Sequence, residues 1–498
     1  MSTTTTKFPF FFIICVCFSL CAFPVSSQEI EVKIEINQKS PVVIVEGKFL
    51  QKSAATTSKN WSFLNSAAGA EKLGERISDL NLADKNGQKV YIKKLVPGEY
   101  LADGEADGWT YRADINQMTN VSAMAHVSWL KDEQGILMTG DLLPQFSMGN
   151  NQPSSARIKI GLPAGWSVIT NEKKIEDNVF EVENIDKAIF LVGKNWREKE
   201  IASGKDTLKL AISGEWQFSD EEAHKIAADI FTQYKQLFGE FTGRKIQIAL
   251  VRFPKDIKFG RWAAETRGTN LTILSGDMAF KTQSLQRLHE QLRHELFHLW
   301  IPNNLALTGN YDWFYEGFTV YQSLRTGVKT NQIRFEDFLD TLGQAYNLDN
   351  LQTQKVSLVE ASKSQSSGAN PQVYARGMIA AFLCDVTLLR ASKGKRSIEN
   401  IFADVYQKHR LPGKSQIGSE AILNLLGNYR ELNSLVAKYI QGAGKIEWKT
   451  DLASVGIEER EENSYTRLKI IEKPNKRQKD LLDELGYNNW RKMSVKAK

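Results

Sequence analysis

The chain has 498 residues, 42% of them hydrophobic and 24% charged, and its 64 basic and 58 acidic residues leave a net charge of +6. This balance excludes a disordered chain and a multispan membrane protein, and the length calls for two or three domains rather than one core. The positive excess is mild and gathers near the C-terminus without interleaved aromatics, which reads as a solvated tail and not as a nucleic-acid groove.

Taken in chain order, Lys7 precedes an apolar run from Phe8 to Phe23, and Val25-Ser26-Ser27 follows with small residues where a signal peptidase cuts. Residues 1–27 are therefore expected to be a secretory signal peptide, with no transmembrane span in the mature chain. Cys15, Cys17 and Cys21 leave with the signal, so Cys384 is the one cysteine of the mature chain and no intrachain disulfide can form. That pattern points to a bacterial periplasmic or extracellular protein. In that setting the sequons at Asn60, Asn120 and Asn270 carry no weight.

Residues 28–205 read as a β-domain. Glu29–Ile36 alternates at period two, Pro41–Phe49 carries a Val-Val-Ile-Val run, and Val90–Ile92, Ile158–Ile160 and Ala188–Val192 are further short strands between turn residues. Such spacing predicts an antiparallel sandwich. A helix-like segment is expected from Ala70 to Leu82, and His126, a lone histidine in a strand-like stretch, is read as structural. Past Leu208 the texture changes. Ser219-Asp220-Glu221-Glu222 is a capping box opening an amphipathic helix that Gly239 ends. Lys245–Val251 and Thr269–Ser275 follow as strands, and a helix spans about Gln283–Trp300, stopped by Pro302. Asp312 is the expected N-cap of the next helix, which runs to about Thr326 with Gly327 after it. From there to about Tyr439 the pattern is helical, so residues 206–330 and 331–459 are read as a catalytic domain and a helical subdomain. Residues 460–498 are read as a basic tail with a short amphipathic helix around Asp480–Leu485.

The helix before Pro302 carries His294-Glu295-Leu296-Phe297-His298, the HExxH pattern in which two imidazoles four residues apart share a helix face and bind zinc, with the glutamate between them as base. On a helical wheel Leu285, Leu288, Leu292, Leu296 and Leu299 fall within about 80° of one another, and His294 and His298 lie roughly opposite. The histidines thus point away from the core stripe, as cleft-facing ligands do, whereas His289 lies off that face. A catalytic zinc needs a third protein ligand and an open position. Glu316, the only carboxylate between Asp312 and the end of the following helix, sits among Trp313, Phe314, Tyr315 and Phe318, where a bare carboxylate is costly unless a cation holds it.

With these residues in view, His294-Glu295-x-x-His298 followed by Glu316-Gly317-Phe318-Thr319-Val320-Tyr321 resembles the gluzincin zinc metallopeptidases. Within them it most resembles the glycyl-aminopeptidase family and the related alanyl-aminopeptidase group. Phe297-His298-Leu299-Trp300, Tyr374-Ala375-Arg376-Gly377, Ser397–Phe402 and Val96-Pro97-Gly98-Glu99-Tyr100 also match parts of that pattern. The resemblance implies a thermolysin-like α+β catalytic domain after the β-sandwich, Tyr374 assisting catalysis and Glu265 binding the substrate α-amino group. Three departures stand out. Seventeen residues separate His298 from Glu316, one fewer than in the alanyl-aminopeptidase group. The edge-strand motif survives only as Trp262-Ala263-Ala264-Glu265-Thr266. The PDZ domain usual in the glycyl-aminopeptidase family is expected to be lacking, since few residues follow Ile457.

The function expected is that of an exported peptidase, an aminopeptidase, acting on peptide or protein substrates with one Zn2+ per chain. His294, His298 and Glu316 are its metal ligands, Glu295 its general base, and Tyr374 the donor to the developing oxyanion. Two other readings stay open: a zinc endopeptidase, and a non-catalytic envelope binding protein on a degenerate gluzincin scaffold.

Overall fold

The computed structural model describes residues 29–50, 59–116, 120–145, 154–241, 244–253, 261–363, 370–463 and 465–488. The expected signal peptide, its cleavage point and the last ten residues of the expected tail lie outside them.

Period-two alternation becomes a sheet first in Ile30–Ile36, whose residues are buried at every second position. This strand pairs antiparallel with Val42–Phe49 and parallel with Ala156–Gly161, at the centre of an eight-stranded sheet. The expected antiparallel sandwich is present, with that one parallel pair inside it. A four-stranded antiparallel sheet covers it, built on Gln134–Met138 and Ile189–Gly193. This second sheet is buried on both faces. Leu137, Phe190 and Val192 join the sandwich core with Val32 and Val45. Ile136, Met138, Ile189 and Leu191 pack instead against Ala211, Ala249, Val251 and Leu274 of the next sheet. Burial on both faces explains why 188–192 reads as an unbroken apolar run.

The helix expected at 70–82 is corrected. Only Leu73–Arg76 forms a 3-10 turn, and Ile77–Ala83 is a strand. Ala70, Leu73, Ile77 and Leu80 recur at helical spacing and are all buried. Part of that spacing comes from a bulge between Ser78 and Asn81, with Asp79 at φ 53, which stretches a two-residue repeat to three. The strand expected at Val90–Ile92 divides at Tyr91 into Lys89–Val90 and Ile92–Val96, which belong to different sheets.

The third sheet has the order 197–203, 206–213, 245–252, 270–275, 262–267. Its three central strands are parallel and both edge strands run antiparallel to them. The boundary expected at 205/206 lies in the turn between the first two strands. The capping box at Ser219 and Glu222 is formed and starts the helix Asp220–Phe238. One continuous core runs from Leu208 through the helical part to Leu485, so residues 206–330, 331–459 and the following segment share their packing. The centre of the helical part is Pro371–Ser392, long and apolar enough to cross a membrane, with 94% of its apolar window buried in the protein. Cys384 is buried within it. The segment expected as a tail is packed where it is described. Ile457–Glu462 and Tyr465–Ile470 form a hairpin, so the boundary at 459/460 runs through its first strand. Asn347 bonds both backbone groups of Thr466 at 3.0 Å, and Leu481, Leu482 and Leu485 of the helix Lys476–Leu485 enter the main core.

Candidate active site

The HExxH helix spans Lys281–Phe297, slightly shorter at its C-terminus than expected, with His298 as its C-cap. Leu288, Leu292 and Leu296 are buried in the core, while His294 and His298 turn to the other side and line a cleft. Glu316 reaches them from a break in the next helical stretch. Asp312–Tyr315 and Gly317–Lys329 are separate helices, and Glu316 at φ −96 ψ −60 caps the end of one and the start of the other. The N-cap is Tyr311, so Asp312 is the first helical residue and not the expected cap, and the second helix passes Gly327 to Lys329.

His294 Nε2 lies 3.2 Å from Glu316 Oε2 and 3.0 Å from His298 Nε2, and His298 Nε2 lies 3.7 Å from Glu316 Oε1. All three ligand atoms fall within 4.8 Å of one another. His298 Nδ1 donates to the carbonyl of Ile301 at 3.0 Å, which leaves the Nε2 lone pair facing the cluster. Two imidazole nitrogens and a carboxylate converging on one point form the donor set of a cation with an affinity for nitrogen and oxygen, and they fit zinc. In the absence of a metal the electrostatics report the same convergence. Burial opposes the charge on His298, yet the Glu316 carboxylate lifts its pKa to about 9. Burial likewise opposes the charge on Glu316, and the two imidazoles hold it well below the usual carboxylate range.

Glu295 is buried beside this cluster. Its carboxylate accepts a hydrogen bond from the Thr266 hydroxyl at 2.8 Å, and the same hydroxyl lies 3.0 Å from the Glu295 carbonyl. Thr266 belongs to the edge strand Trp262–Arg267, which pairs on one side only, with Asn270–Ser275. Asn303, in the turn after the HExxH helix, fastens the two elements: its amide donates to the carbonyls of Thr266 at 2.8 Å and His298 at 3.1 Å.

Alternation along a strand sends Thr266 to one face and Glu265 to the other. Glu265 lines the cleft, but both its oxygens are engaged: Oε1 lies 2.9 Å from Arg267 Nε and Oε2 lies 2.7 Å from His126 Nδ1. Arg267 Nη2 closes the ring by donating to the His126 carbonyl at 2.8 Å. Burial raises the pKa of Glu265, and the charges of His126 and Arg267 outweigh it and bring the value below normal. His126 is therefore a cleft residue, not one of a strand interior. It caps the 3-10 turn Val121–Ala125 of the β-domain. His289, by contrast, stays outside the metal cluster.

Tyr374 lies in the first turn of the helix Pro371–Ser392, which Asn370 caps by accepting from Gln372 N. It lines the cleft with its hydroxyl turned towards Glu316. Burial first, then that carboxylate, pushes the tyrosine pKa well above its usual value. The cleft as a whole encloses about 1170 Å³ between the edge strand, the HExxH helix, the Glu316 helix and the 3-10 turn of the β-domain.

No protein-family model matches this chain, and no curated protein matches it in sequence. Solved structures do match it in shape. An aminopeptidase N family protein from Idiomarina loihiensis superposes with a TM-score of 0.71 at 15% identity, over 87% of this chain and 79% of that one. The M1 zinc metallopeptidase of Deinococcus radiodurans gives 0.53 at 14% identity, over 84% and 94%. A mutant of that enzyme bound to a Tyr-Ser-Ala substrate gives 0.53 at 13% identity, over 83% and 94%. This chain has the M1 zinc metallopeptidase fold. At these identities the likeness is one of M1 architecture, a β-domain leading into a zinc-peptidase-like α+β unit and helices, and it reaches no subgroup within that fold.

Of the residues singled out in the sequence, His294, His298, Glu316, Glu295 and Tyr374 come together around one point of the M1-like cleft. Glu265 lines the same cleft but is committed to Arg267 and His126. Sequence reasoning missed Thr266, Arg267 and Asn303, although the first two directly follow Glu265 on its strand. It also missed His126, for which no local signal exists because its partner is 139 residues away in the chain.

Proposed function

We propose that this protein is a zinc-dependent metallopeptidase, and an aminopeptidase on the reading that its M1-fold neighbours suggest. The observation that carries the proposal is the convergence of His294 Nε2, His298 Nε2 and a Glu316 oxygen within 4.8 Å, in a cleft that Glu295 also lines and the open edge strand borders. His294, His298 and Glu316 would hold the ion. Zinc bound there supplies Lewis-acid chemistry, polarising a carbonyl and acidifying water at its open position.

The rest falls to the chain's own groups. An extended peptide laid along the unpaired edge of Trp262–Arg267 gains backbone hydrogen bonds. Glu295, held by Thr266, takes the proton of the attacking water and passes it to the leaving amine. Tyr374, kept protonated by its raised pKa, donates to the oxygen on which negative charge develops. The continuation Phe297-His298-Leu299-Trp300 supports a place near the glycyl-aminopeptidase group, and Val25-Ser26-Ser27 supports export with cleavage after Ser27. N-terminal sequencing of exported protein beginning at Gln28 would establish the latter.

One observation favours a second reading, the zinc endopeptidase. Glu265 already faces the His126 imidazole at 2.7 Å and the Arg267 guanidinium at 2.9 Å and is poorly placed to receive a substrate ammonium group. Digesting a peptide mixture with and without a chelator tests both readings. Chelator-sensitive cuts confined to N-terminal residues support the aminopeptidase, and internal cuts the endopeptidase. Glu295→Gln should retain about one zinc per chain and lose about 10²–10⁴-fold in turnover. Protein that binds no zinc, or a Glu295→Gln variant that cleaves as well as wild type, overturns the proposal.

A further inference from the structure

Among the described residues three arginines are buried in the helical part of the molecule, and two of them are paired. Arg325 Nε lies 2.8 Å from Asp385, its Nη1 2.7 Å from Glu399, and Arg376 Nη1 3.2 Å from Asp349. Arg293 is the exception. It is 3% exposed, directly precedes His294, and lines the cleft. Among the described residues its one side-chain hydrogen bond runs from Nη1 to His289 Nδ1 at 3.3 Å, and its Nε has no hydrogen-bond partner.

That partner carries no compensating charge. Burial, then the positive charge of Arg293 itself, lowers the pKa of His289 to about 4, so the imidazole is neutral. Glu290, one turn back, is engaged by Arg287 at 2.7 Å. Among the described residues no carboxylate lies within ion-pair distance of Arg293. An arginine side chain does not readily discharge itself, so this is a desolvated cation without a contacting counter-charge, whose burial the more distant Tyr234 and Glu290 only partly offset. The guanidinium packs against the Glu316 helix at the edge of the cleft. A Cβ added at Gly327 would stand 3.0 Å from the guanidinium carbon, and the adjoining Ser323, Leu324 and Ile333 line the cleft.

We propose that Arg293 is the receptor for a substrate carboxylate, so that this cleft selects peptides bearing a negative charge a few residues from the bond to be cut. The inference rests on the peptidase reading of the cleft and adds a specificity element to it. Gly327 lies eleven residues beyond Glu316, about 16 Å along their helix, and extended peptide covers about 3.3 Å per residue. A group at Arg293 is thus within reach of a short peptide whose scissile bond lies at the metal ligands. The carboxylate is either the C-terminus of such a peptide or an acidic side chain, and the planar fork of a guanidinium suits both.

The test reads binding rather than turnover. Zinc-loaded Glu295→Gln protein is titrated calorimetrically with three forms of one tetrapeptide: free acid, C-terminal amide, and amide with a glutamate at its third position. The expected result is that one or both anionic forms bind about tenfold or more tightly than the neutral amide. Tighter binding of the free acid alone identifies the C-terminus as the ligand, and of the glutamate form alone the side chain. Adding Arg293→Gln should collapse the difference to about threefold or less, and Arg293→Lys should restore part of it. Equal binding of the three forms, binding of none, or a preference that survives Arg293→Gln overturns the inference. Should Arg293→Gln fail to fold, Arg293→Lys carries the comparison, and an anion preference as large as that of the arginine-containing protein overturns the inference. Cleavage by wild type without acid preference sinks the receptor and leaves the peptidase standing, whereas acid-selective binding without any cleavage does the reverse.

Discussion

Gly317 and Gly377 pack face to face, so closely that a Cβ built on either would lie 2.7 Å from the Cα of the other. Gly317 follows Glu316, and Gly377 lies one helical turn after Tyr374. The contact therefore sets the Glu316 helix against the Pro371–Ser392 helix at the height where the tyrosine hydroxyl meets the carboxylate. Gly377→Ala should overpack this crossing, with a net loss of about 1–3 kcal/mol in urea unfolding. It should also weaken zinc affinity, because the helix that carries Glu316 must shift. Unchanged unfolding and zinc affinity together would show that the crossing has slack.

Thr266 is expected to act through Glu295. Removing its hydroxyl in Thr266→Val leaves the base without its fixed partner, and a hydrogen bond to a charged group is worth about 1.5–3 kcal/mol. That corresponds to a fall of about tenfold or more in kcat, with little change in KM, and Thr266→Ser should recover most of it. A loss confined to KM would place the hydroxyl on the substrate instead.

Protonation competes with metal at the cluster. In chelated protein the folded-state pKa of His298 is raised to about 9, above the ordinary histidine value of about 6.5. Its contribution to stability is therefore full below about pH 6.5 and is lost as the pH rises through about 9. Glu316 is shifted the other way, so its contribution holds above the ordinary carboxylate range and is lost only in strong acid. Chelated protein should accordingly lose thermal stability between about pH 6.5 and 9 relative to His298→Gln, and saturating zinc should abolish that trend. A melting temperature for chelated wild type that tracks His298→Gln across this window would refute the coupling.

The ring of Glu265, Arg267 and His126 bears on which end of a peptide is recognised. If both carboxylate oxygens stay committed, an N-acetylated peptide should be cut nearly as well as its free-amine twin. Arg267→Met, which releases Oε1, should then shift the ratio of kcat/KM towards the free amine by about tenfold, as expected for a desolvated ion pair. A wild type that already rejects the acetylated peptide would mean that the substrate ammonium displaces Arg267 and His126 from Glu265.

Much of this molecule is written in short-range pattern. The alternation of Ile30–Ile36, the capping box at Ser219 and the four-residue spacing of His294 and His298 are each settled within a turn or a strand, because backbone geometry alone fixes which side chains share a face. The same locality misleads at Ala70–Leu82, where a bulged strand imitates helical spacing. What only the tertiary structure decided is how charges are matched. Glu316 becomes a partner of the histidines because a break between two helices turns it towards them. His126 reaches Glu265 from another domain, and the contact at Gly377 is what brings Tyr374 to Glu316. Arg293 is left without a carboxylate although acidic residues surround it in sequence. Pairing depends on distances set by packing between segments up to more than a hundred residues apart, and no local period carries that information.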